Sequence, residues 1–246
     1  MAKILTIDIE TMPHLAYIYD LWNQNISPKM VKEFGRVTCF AAKLLDDDII
    51  RYSSDFHNGH KAMIKEAHEL LSYADIIVTY NGKAFDVKHL NREFFLAGLG
   101  PPAPYQHVDL YQVAKREFKF ASNKLDNIAQ QLQIGAKVKH AGFDLWLDCM
   151  NGDIDAWDKM REYNMQDVVL TEELYLKMLP WIKNHPNINL FSDEDVEGCP
   201  RCGASDFQKR GTYENTFATY QQYWCKVCHG WFKHKLSEKL TEFRSV

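Results

Sequence analysis

The 246-residue sequence predicts an α/β fold, a sheet covered by helices, followed by a small separate module at the C-terminus. Three observations predict it. Strand-like runs come first, strand and helix patterns then alternate, and the stretch up to about residue 184 closes mainly as helix. From Asn184 to Gly198 the periodicity fails in a polar, acidic segment with helix breakers, so residues 185–198 read as a linker between a domain at 1–184 and a module at 199–246. Four of the six cysteines fall in that last module, as two Cys-x-x-Cys pairs.

Lys-Ile-Leu-Thr-Ile-Asp-Ile at residues 3–9 is rich in β-branched residues and reads as the first strand. A second strand spans about 36–45 and a third about 48–53. Met63, Ala67, Leu70 and Leu71 recur at helical spacing, which predicts a helix over 60–73. Ile76-Ile-Val-Thr79 lies at the centre of a short apolar strand at 75–80, and Asn81-Gly82 after it is a turn signal. The next helix runs to about Ala97, where Gly98 and Gly100-Pro101-Pro102 stop it. His107–Leu110 is a further strand. Beyond it the chain reads mainly as helix, with one over about 124–134 capped at Ser122 or Asn123, and a long one over about 154–178.

Composition is that of an ordinary globular protein, 46% hydrophobic and 25% charged, and the formal charge of −4 gives no hint of a nucleic-acid partner. No apolar run approaches the roughly 18 residues of a membrane span. The first residues lack the pattern of a secretory leader. A soluble, cytoplasmic chain with no membrane partner is expected. Cys39 and Cys149 stand in apolar surroundings and read as buried free thiols.

Three acidic motifs follow one another. Asp8 and Glu10 sit two apart on the first strand, so both point to one face. Carboxylates on so apolar a strand are costly to bury unless paired or bound to cations, although an exposed strand end explains a lone Asp-x-Glu equally well. Asp86, in Tyr80-Asn-Gly-Lys-Ala-Phe-Asp86, opens a helix after a strand and turn. It is either a first-turn acid complementing the helix dipole or a carboxylate delivered to the end of the sheet beside the first strand. Tyr163 and Asp167 lie four apart on one helical face, which a packed Tyr and a surface Asp also satisfy. Together the four carboxylates can hold two divalent cations, which clamp the attacking and leaving oxygens of a phosphodiester displacement. Mg²⁺ or Mn²⁺ suits such a set of oxygen donors. A phenol with a pKa of about 10 is a poor general base, so Tyr163 is expected to orient the attacking water.

Asp8-x-Glu10, Asn81-x-x-x-Phe85-Asp86 and Tyr163-x-x-x-Asp167 resemble the three motifs of DEDD exonucleases of the ribonuclease H-like fold. The likeness is to the tyrosine subclass found in the proofreading domains of family B DNA polymerases. In the histidine subclass the base stands five before the last Asp, and that position here is Glu162. The resemblance covers about residues 1–180, and with Trp22 and the cysteine-rich tail it extends to stand-alone exonucleases of bacteria and their phages. It implies a ribonuclease H-like mixed sheet and a 3′→5′ exonuclease acting on single-stranded ends. It implies Asp8, Glu10, Asp86 and Asp167 as ligands of two Mg²⁺ or Mn²⁺ ions. Asn81 and Phe85 match positions that contact the terminal nucleotide. Thr11 and Lys124 join the expected substrate contacts on the domain. DNA is the expected substrate and RNA the alternative, with a separate DNA polymerase or replication and recombination proteins as expected partners. No polymerase is expected within the chain itself.

Some residues near these motifs are less specific. Asp109 either stands behind the metal ligands or merely ends a strand. Lys137, Lys139 and His140 form a small basic cluster that reads as a solvated loop, and Trp146 and Trp157 read as core.

Cys199-Pro-Arg-Cys202 and Cys225-Lys-Val-Cys228 are separated by 22 residues whose alternation suits a hairpin. Two such knuckles close a tetrahedral zinc shell with no open position, which predicts one structural Zn²⁺ in a zinc ribbon. A module this small needs the metal to fold. Its basic and aromatic residues, among them Arg210, Tyr220 and Trp231, suit single-stranded nucleic acid, while Trp224 and Phe232 are expected inside. Residues 199–246 carry 8 basic and 4 acidic side chains against 21 and 29 in the remainder, so the total charge hides an acidic domain joined to a basic module. An adaptor that binds nucleic acid with weak or no catalysis is the other class considered. The four carboxylates and Tyr163 argue against it.

Overall fold

The computed structural model describes residues 2–136, 138, 141–192, 197–215 and 218–236. They fall into two compact units, Lys3–Leu174 and a second that begins at Tyr175 and takes in Ala2. The basic cluster at Lys137, Lys139 and His140 lies outside the described residues.

The first unit begins with strand β1 (Ile4–Thr11). A short antiparallel pair, β2 (Leu15–Ala16) and β3 (Val31–Glu33), follows and leaves Tyr19, Leu21 and Trp22 exposed. No sequence pattern marks this pair, because two or three residues are too few to show a period. Then come β4 (Val37–Leu44), β5 (Arg51–Ser54), α1 (Asp55–Asn58), α2 (His60–Tyr73), β6 (Ile76–Thr79), α3 (Asp86–Leu96) and β7 (Gln106–Asp109). Helices α4 (Leu110–Glu117), α5 (Leu125–Gln131), α6 (Phe143–Met150) and α7 (Ile154–Met178) complete the run. The strands form one mixed sheet in the order β5-β4-β1-β6-β7. β1 runs antiparallel to β4 and parallel to β6.

Alternation along β1 divides its side chains between the two faces. Leu5, Ile7 and Ile9 join Met63, Ile64, Ala67 and Leu71 of α2 and Leu90 and Phe94 of α3 in one core. Thr6, Asp8 and Glu10 therefore point the other way. On that second face Cys39 of β4 packs in a cluster with Leu145, Cys149, Trp157, Met160 and Tyr163 from α6 and α7. Cys39 and Cys149 are buried free thiols, as their surroundings suggested. Burial of the apolar side chains on both faces, at roughly 1.5–3 kcal/mol each, is the main force holding helices to sheet.

Pairing of β1 with β6 ends at Thr6↔Val78, while pairing with β4 continues to Glu10↔Cys39. The C-terminal half of β1 thus runs past the last residues paired with it on β6. The turn after β6 comes level with Asp8 there, and the sheet opens at this end.

The second unit holds a three-stranded antiparallel sheet, β8 (Phe207–Glu214), β9 (Thr219–Cys225) and β10 (Trp231–Lys235), in the order β10-β9-β8. Within 185–198 a short 3-10 turn covers Ile188–Phe191, opened by the Asn187 side chain. Ile188 N donates to Pro200 O at 2.9 Å and Asn189 Nδ2 to Gly198 O at 3.0 Å, which ties the turn to the first cysteine knuckle. Among the described residues no helix is long and apolar enough to cross a membrane.

Candidate active site and cysteine cluster

Three of the four predicted carboxylates meet. Asp8 and Glu10 of β1 and Asp167 of α7 each offer an oxygen, and these oxygens lie within 4.8 Å of one another. Val168, Leu170, Thr171 and Leu174 are buried and seat the helix that carries Asp167, itself 3% exposed. Three negative charges this close repel strongly in a partly desolvated site. The donor set is all oxygen and anionic, which fits hard divalent cations such as Mg²⁺ or Mn²⁺.

Asp86 stands slightly apart from that trio. It opens α3 at the end of β6, and its Oδ1 accepts the Ile9 N–H of β1 at 3.1 Å. The turn therefore does deliver the carboxylate to β1. It is 3% exposed, and burial pushes its carboxyl up to about 7, against the pull of backbone N–H groups and with a further push from Asp109.

The turn between β6 and α3 is fixed from below. Asp109 Oδ1 accepts the Asn81 N–H at 3.0 Å and Oδ2 accepts the Lys83 N–H at 3.1 Å. The same Oδ1 caps α4 through the N–H groups of Tyr111 and Gln112. Asp109 thus organises the loop and helix start beside Asp86. Asn81 adopts φ 67°, a left-handed conformation that Asn tolerates. Phe85 is 39% exposed, with its ring 4.5 Å from that of His89.

A cleft of about 450 Å³ joins these parts, lined among others by Asp8, Asp167, Asn81, Tyr80 and Lys124. Tyr80 Oη donates to Asn123 O at 2.5 Å and closes one side. The cap of α5 is a correction: Lys124, not Ser122 or Asn123, is the N-cap residue, and no side chain caps the helix. Ser122 Oγ instead accepts the Lys124 N–H at 3.3 Å, and the backbone of Asn123 serves Tyr80. Lys124 is left exposed at the cleft. Thr11 ends β1 just past a register shift between Glu10 and Thr11, and is half-buried.

Tyr163 is 8% exposed, its ring edge-on to Trp146 with centroids 6.1 Å apart. Trp157 is fully buried, donates Nε1–H to Cys149 O at 3.0 Å and stacks on Phe56. Both tryptophans belong to the packing beneath the site. Sequence reasoning passed over Asn164, between Tyr163 and Asp167. Its Nδ2 donates to Asp8 Oδ2 at 2.7 Å and to Asp8 O at 3.2 Å, and the residue is fully buried. A polar residue three before Asp167 on a packed helix was the available signal.

In the second unit Cys199, Cys202, Cys225 and Cys228 bring four Sγ atoms within 4.8 Å of one another. Sγ of Cys199 lies 3.6 Å from that of Cys228, and Cys202 lies 3.6 Å from Cys225. Disulfides need about 2.05 Å. Tetrahedral Zn–S bonds of about 2.3 Å give edges of about 3.8 Å, so the arrangement is compatible with a zinc ribbon. The Cys199 thiol is lowered to about 5 by its hydrogen bond with Cys228, helped by backbone N–H groups of Arg201 and Cys202 against the effect of burial.

Aromatics around this cluster differ from expectation. Trp224 and Phe232 are only half-buried: Phe232 stacks on Tyr223 and meets Phe207 edge-on, while Trp224 stacks on His229. Cys199 and Cys225 are fully buried, and so is Tyr175 of the same unit, whose hydroxyl bonds His185, so these side chains hold the interior positions that Trp224 and Phe232 do not. Arg210 lies over Trp224, with 5.7 Å to the centroid. Lys233 Nζ lies 4.3 Å from the centroid of Tyr220 and 4.6 Å from that of Tyr213. Trp231 is 52% exposed.

No curated protein matches the sequence. The structure is similar to that of the family B DNA polymerase from the hyperthermophilic archaeon Pyrobaculum calidifontis, with a TM-score of 0.56 and 18% identity. The match covers 73% of this chain and 25% of that one, so the chain corresponds to a quarter of the polymerase and shares its fold over that part. The sequence model of the RNase_H superfamily matches residues 30–179, from the start of β3 to the end of α7. Asp8 and Glu10 precede the matched stretch, on the strand at the centre of the same sheet. With more than half of its length matched in this way, the chain belongs to the RNase_H superfamily.

Proposed function

We propose that the protein is a divalent-metal-dependent 3′→5′ exonuclease that releases nucleotides from single-stranded DNA ends. Membership of the RNase_H superfamily supports a nuclease in general. The observation that carries the finer reading is the meeting of Asp8, Glu10 and Asp167 at the open end of the sheet, with Asp86 on the neighbouring backbone. Direction and strand preference rest on the resemblance of the three motifs to those of proofreading exonucleases.

In this reading Asp8, Glu10 and Asp167 hold Mg²⁺ or Mn²⁺, and Asp86 completes the set for a second ion. Bound there, the ions supply Lewis acidity toward the scissile phosphate and lower the pKa of the attacking water. Every other task belongs to the chain. Tyr163, fixed by Trp146, orients the water with its phenol. Asn81 and Phe85 take the terminal nucleotide, the Phe85 ring against the base. Lys124 at the cleft meets a phosphate, and Thr11 borders the strand. The module bearing the four cysteines holds one Zn²⁺ and presents Arg210, Tyr220 and Trp231 to the single strand. The partner in this reading is a 3′ end, including one left by a separate DNA polymerase.

The test is a digest of 3′- and 5′-labelled oligonucleotides, in DNA and RNA of one sequence, with Mg²⁺, Mn²⁺ or EDTA. Stepwise shortening from the 3′ end of DNA, lost in EDTA and in Asp86→Ala or Asp167→Asn, is expected. Full activity of Asp86→Ala, or cleavage of a circular single strand, overturns the mechanism. Preference for the RNA strand changes the substrate assignment alone.

A further inference from the structure

Arg201 sits inside the first cysteine knuckle and is 8% exposed. Its Nε donates to Ile182 O at 3.1 Å and its Nη1 to Trp231 O at 2.6 Å. Both acceptors are neutral carbonyls. Among the described residues no carboxylate pairs with this guanidinium, and its Nη2 has no acceptor. A charge withdrawn from water is costly unless an anion compensates it. In the proposed zinc site the four thiolates would supply part of that compensation. A Cβ placed on Gly230 would lie 2.7 Å from Arg201 Nη1 and 3.3 Å from Cys228 Sγ, so the cation borders the sulfur cluster.

The guanidinium also lines a cavity of about 410 Å³, together with Lys183, His185, Trp231, Phe232 and Lys233. That volume suits a ligand the size of one nucleotide. Lys233 has aromatic rings rather than a carboxylate as its partners among the described residues, so its charge is not neutralised. Lys183 is exposed and borders the same cavity. His185 contributes no charge at neutral pH. Burial lowers its imidazole to about 4, and it is occupied by Tyr175 Oη and Pro186 O, both at 2.7 Å. Trp231, half of it exposed, forms an aromatic wall, and among the described residues no acidic side chain lines the cavity. Arg201, Lys183 and Lys233 around one cavity beside an open indole match a phosphodiester with its base.

We infer that this pocket binds one nucleotide of a single strand, its phosphate on Arg201, Lys183 and Lys233 and its base against Trp231. The inference deepens the proposed function and rests on it: the strand whose 3′ end is cut is held a second time on the cysteine module.

Binding is measured by fluorescence anisotropy with labelled oligodeoxythymidylates, using the full chain with cleavage blocked by Asp167→Asn. Arg201 also braces the module, so the pocket is probed at exposed positions instead. Lys183→Gln with Lys233→Gln is expected to lower affinity about tenfold and to reduce the slope of log K against log salt by about 1. Trp231→Ala is expected to lower affinity about tenfold with the slope unchanged. In the parent, an oligonucleotide carrying 5-iododeoxyuridine should photo-cross-link at Trp231 or Phe232. Variants that bind within twofold of the parent, or cross-links confined to other residues, overturn the pocket. If the parent binds no single strand and the wild type degrades none, the nuclease reading itself fails. Binding and degradation with cross-links elsewhere reject only the pocket.

Discussion

Asn164 holds Asp8 twice, its Nδ2 donating to the carboxylate at 2.7 Å and to the backbone carbonyl at 3.2 Å. The grip crosses from α7 to β1 and so fixes the distance between the element carrying Asp167 and the one carrying Asp8. Asn164 Oδ1 is buried without a hydrogen-bond partner, a cost that the paired Nδ2 offsets. Replacing Asn164 by Leu removes the donor and the orphan acceptor together. Stability should change by only about 1 kcal/mol, because the two losses oppose each other. Removal of a group that orients a metal ligand typically costs about 10–100-fold in metal affinity. Mn²⁺ titration followed by EPR, beside a thermal melt, checks this: weak Mn²⁺ binding with a nearly unchanged melt is expected.

Glu93 anchors the helix that begins at Asp86. Its carboxylate is 4% exposed, accepts the Val37 N–H of β4 at 3.2 Å and pairs with Arg92 and His60. Burial alone would raise its pKa, yet bonds from His60, Arg92 and Val37 prevail and hold it at about 2. A carboxyl depressed on folding binds protons more readily in the unfolded chain. Its stabilisation is complete above the unfolded value of about 4.5 and is lost as pH falls from there through about 2. The contribution at neutral pH is up to about 3 kcal/mol. Glu93→Gln should lose most of it at pH 7 and flatten the acid limb between those values. Urea unfolding of both proteins from pH 2 to 7 measures the difference.

Legibility followed the strength of the local pattern. The periodic helices at 60–73 and 154–178 and the β-branched first strand were readable, because apolar spacing reports the face that packs. Helix α5 ends at Gln131 rather than about 134, since Gln133 turns to φ 54° just before Gly135, an event of backbone conformation with little sequence signature. The pair β2 and β3 is too short to carry a period. Asp8, Glu10 and Asp167 were readable as motif residues, and the fold brings them together. Asn164 had only its polar place three before Asp167 as a signal, and Asp109 stood between two readings, because each acts through a partner far away in sequence. The half-buried state of Trp224 and Phe232 goes with an interior held by Cys199, Cys225 and Tyr175, which hydrophobicity alone does not anticipate.

Gly82 is required by close approach, not by a positive φ. A Cβ there would fall 2.3 Å from Thr79 Oγ1 and 2.5 Å from Thr79 Cβ. Thr79 cannot withdraw. It is fully buried, accepts the Gly82 N–H at 3.1 Å and bonds His107 at 2.9 Å. Gly82→Ala should therefore destabilise by about 1–3 kcal/mol, the usual cost of overpacking. Because the displaced turn presents Asn81 and leads into Asp86, activity should fall more than stability explains. Turnover compared well below the melting temperature of both proteins separates the two effects.

In the proposed reading one Zn²⁺ ties together the interior of the cysteine module. Cys199 and Cys225 are fully buried, while Tyr223, Trp224 and Phe232 on the strands are only half-buried. Cys225→Ser should abolish the one Zn²⁺ per chain, because three thiolates leave an open and weaker shell. Hydrogen exchange in β8, β9 and β10 should then approach that of an unfolded segment. The unit at Lys3–Leu174 has its own core and should keep its cooperative thermal transition. Lowering the pH should release the metal from the wild type in the same manner, since protons compete for the thiolates. Zinc content by atomic absorption, with exchange followed by mass spectrometry, gives both readouts. Retained protection in β8–β10 of a zinc-free protein would show that side-chain packing alone holds the module, and would remove the metal from its stability.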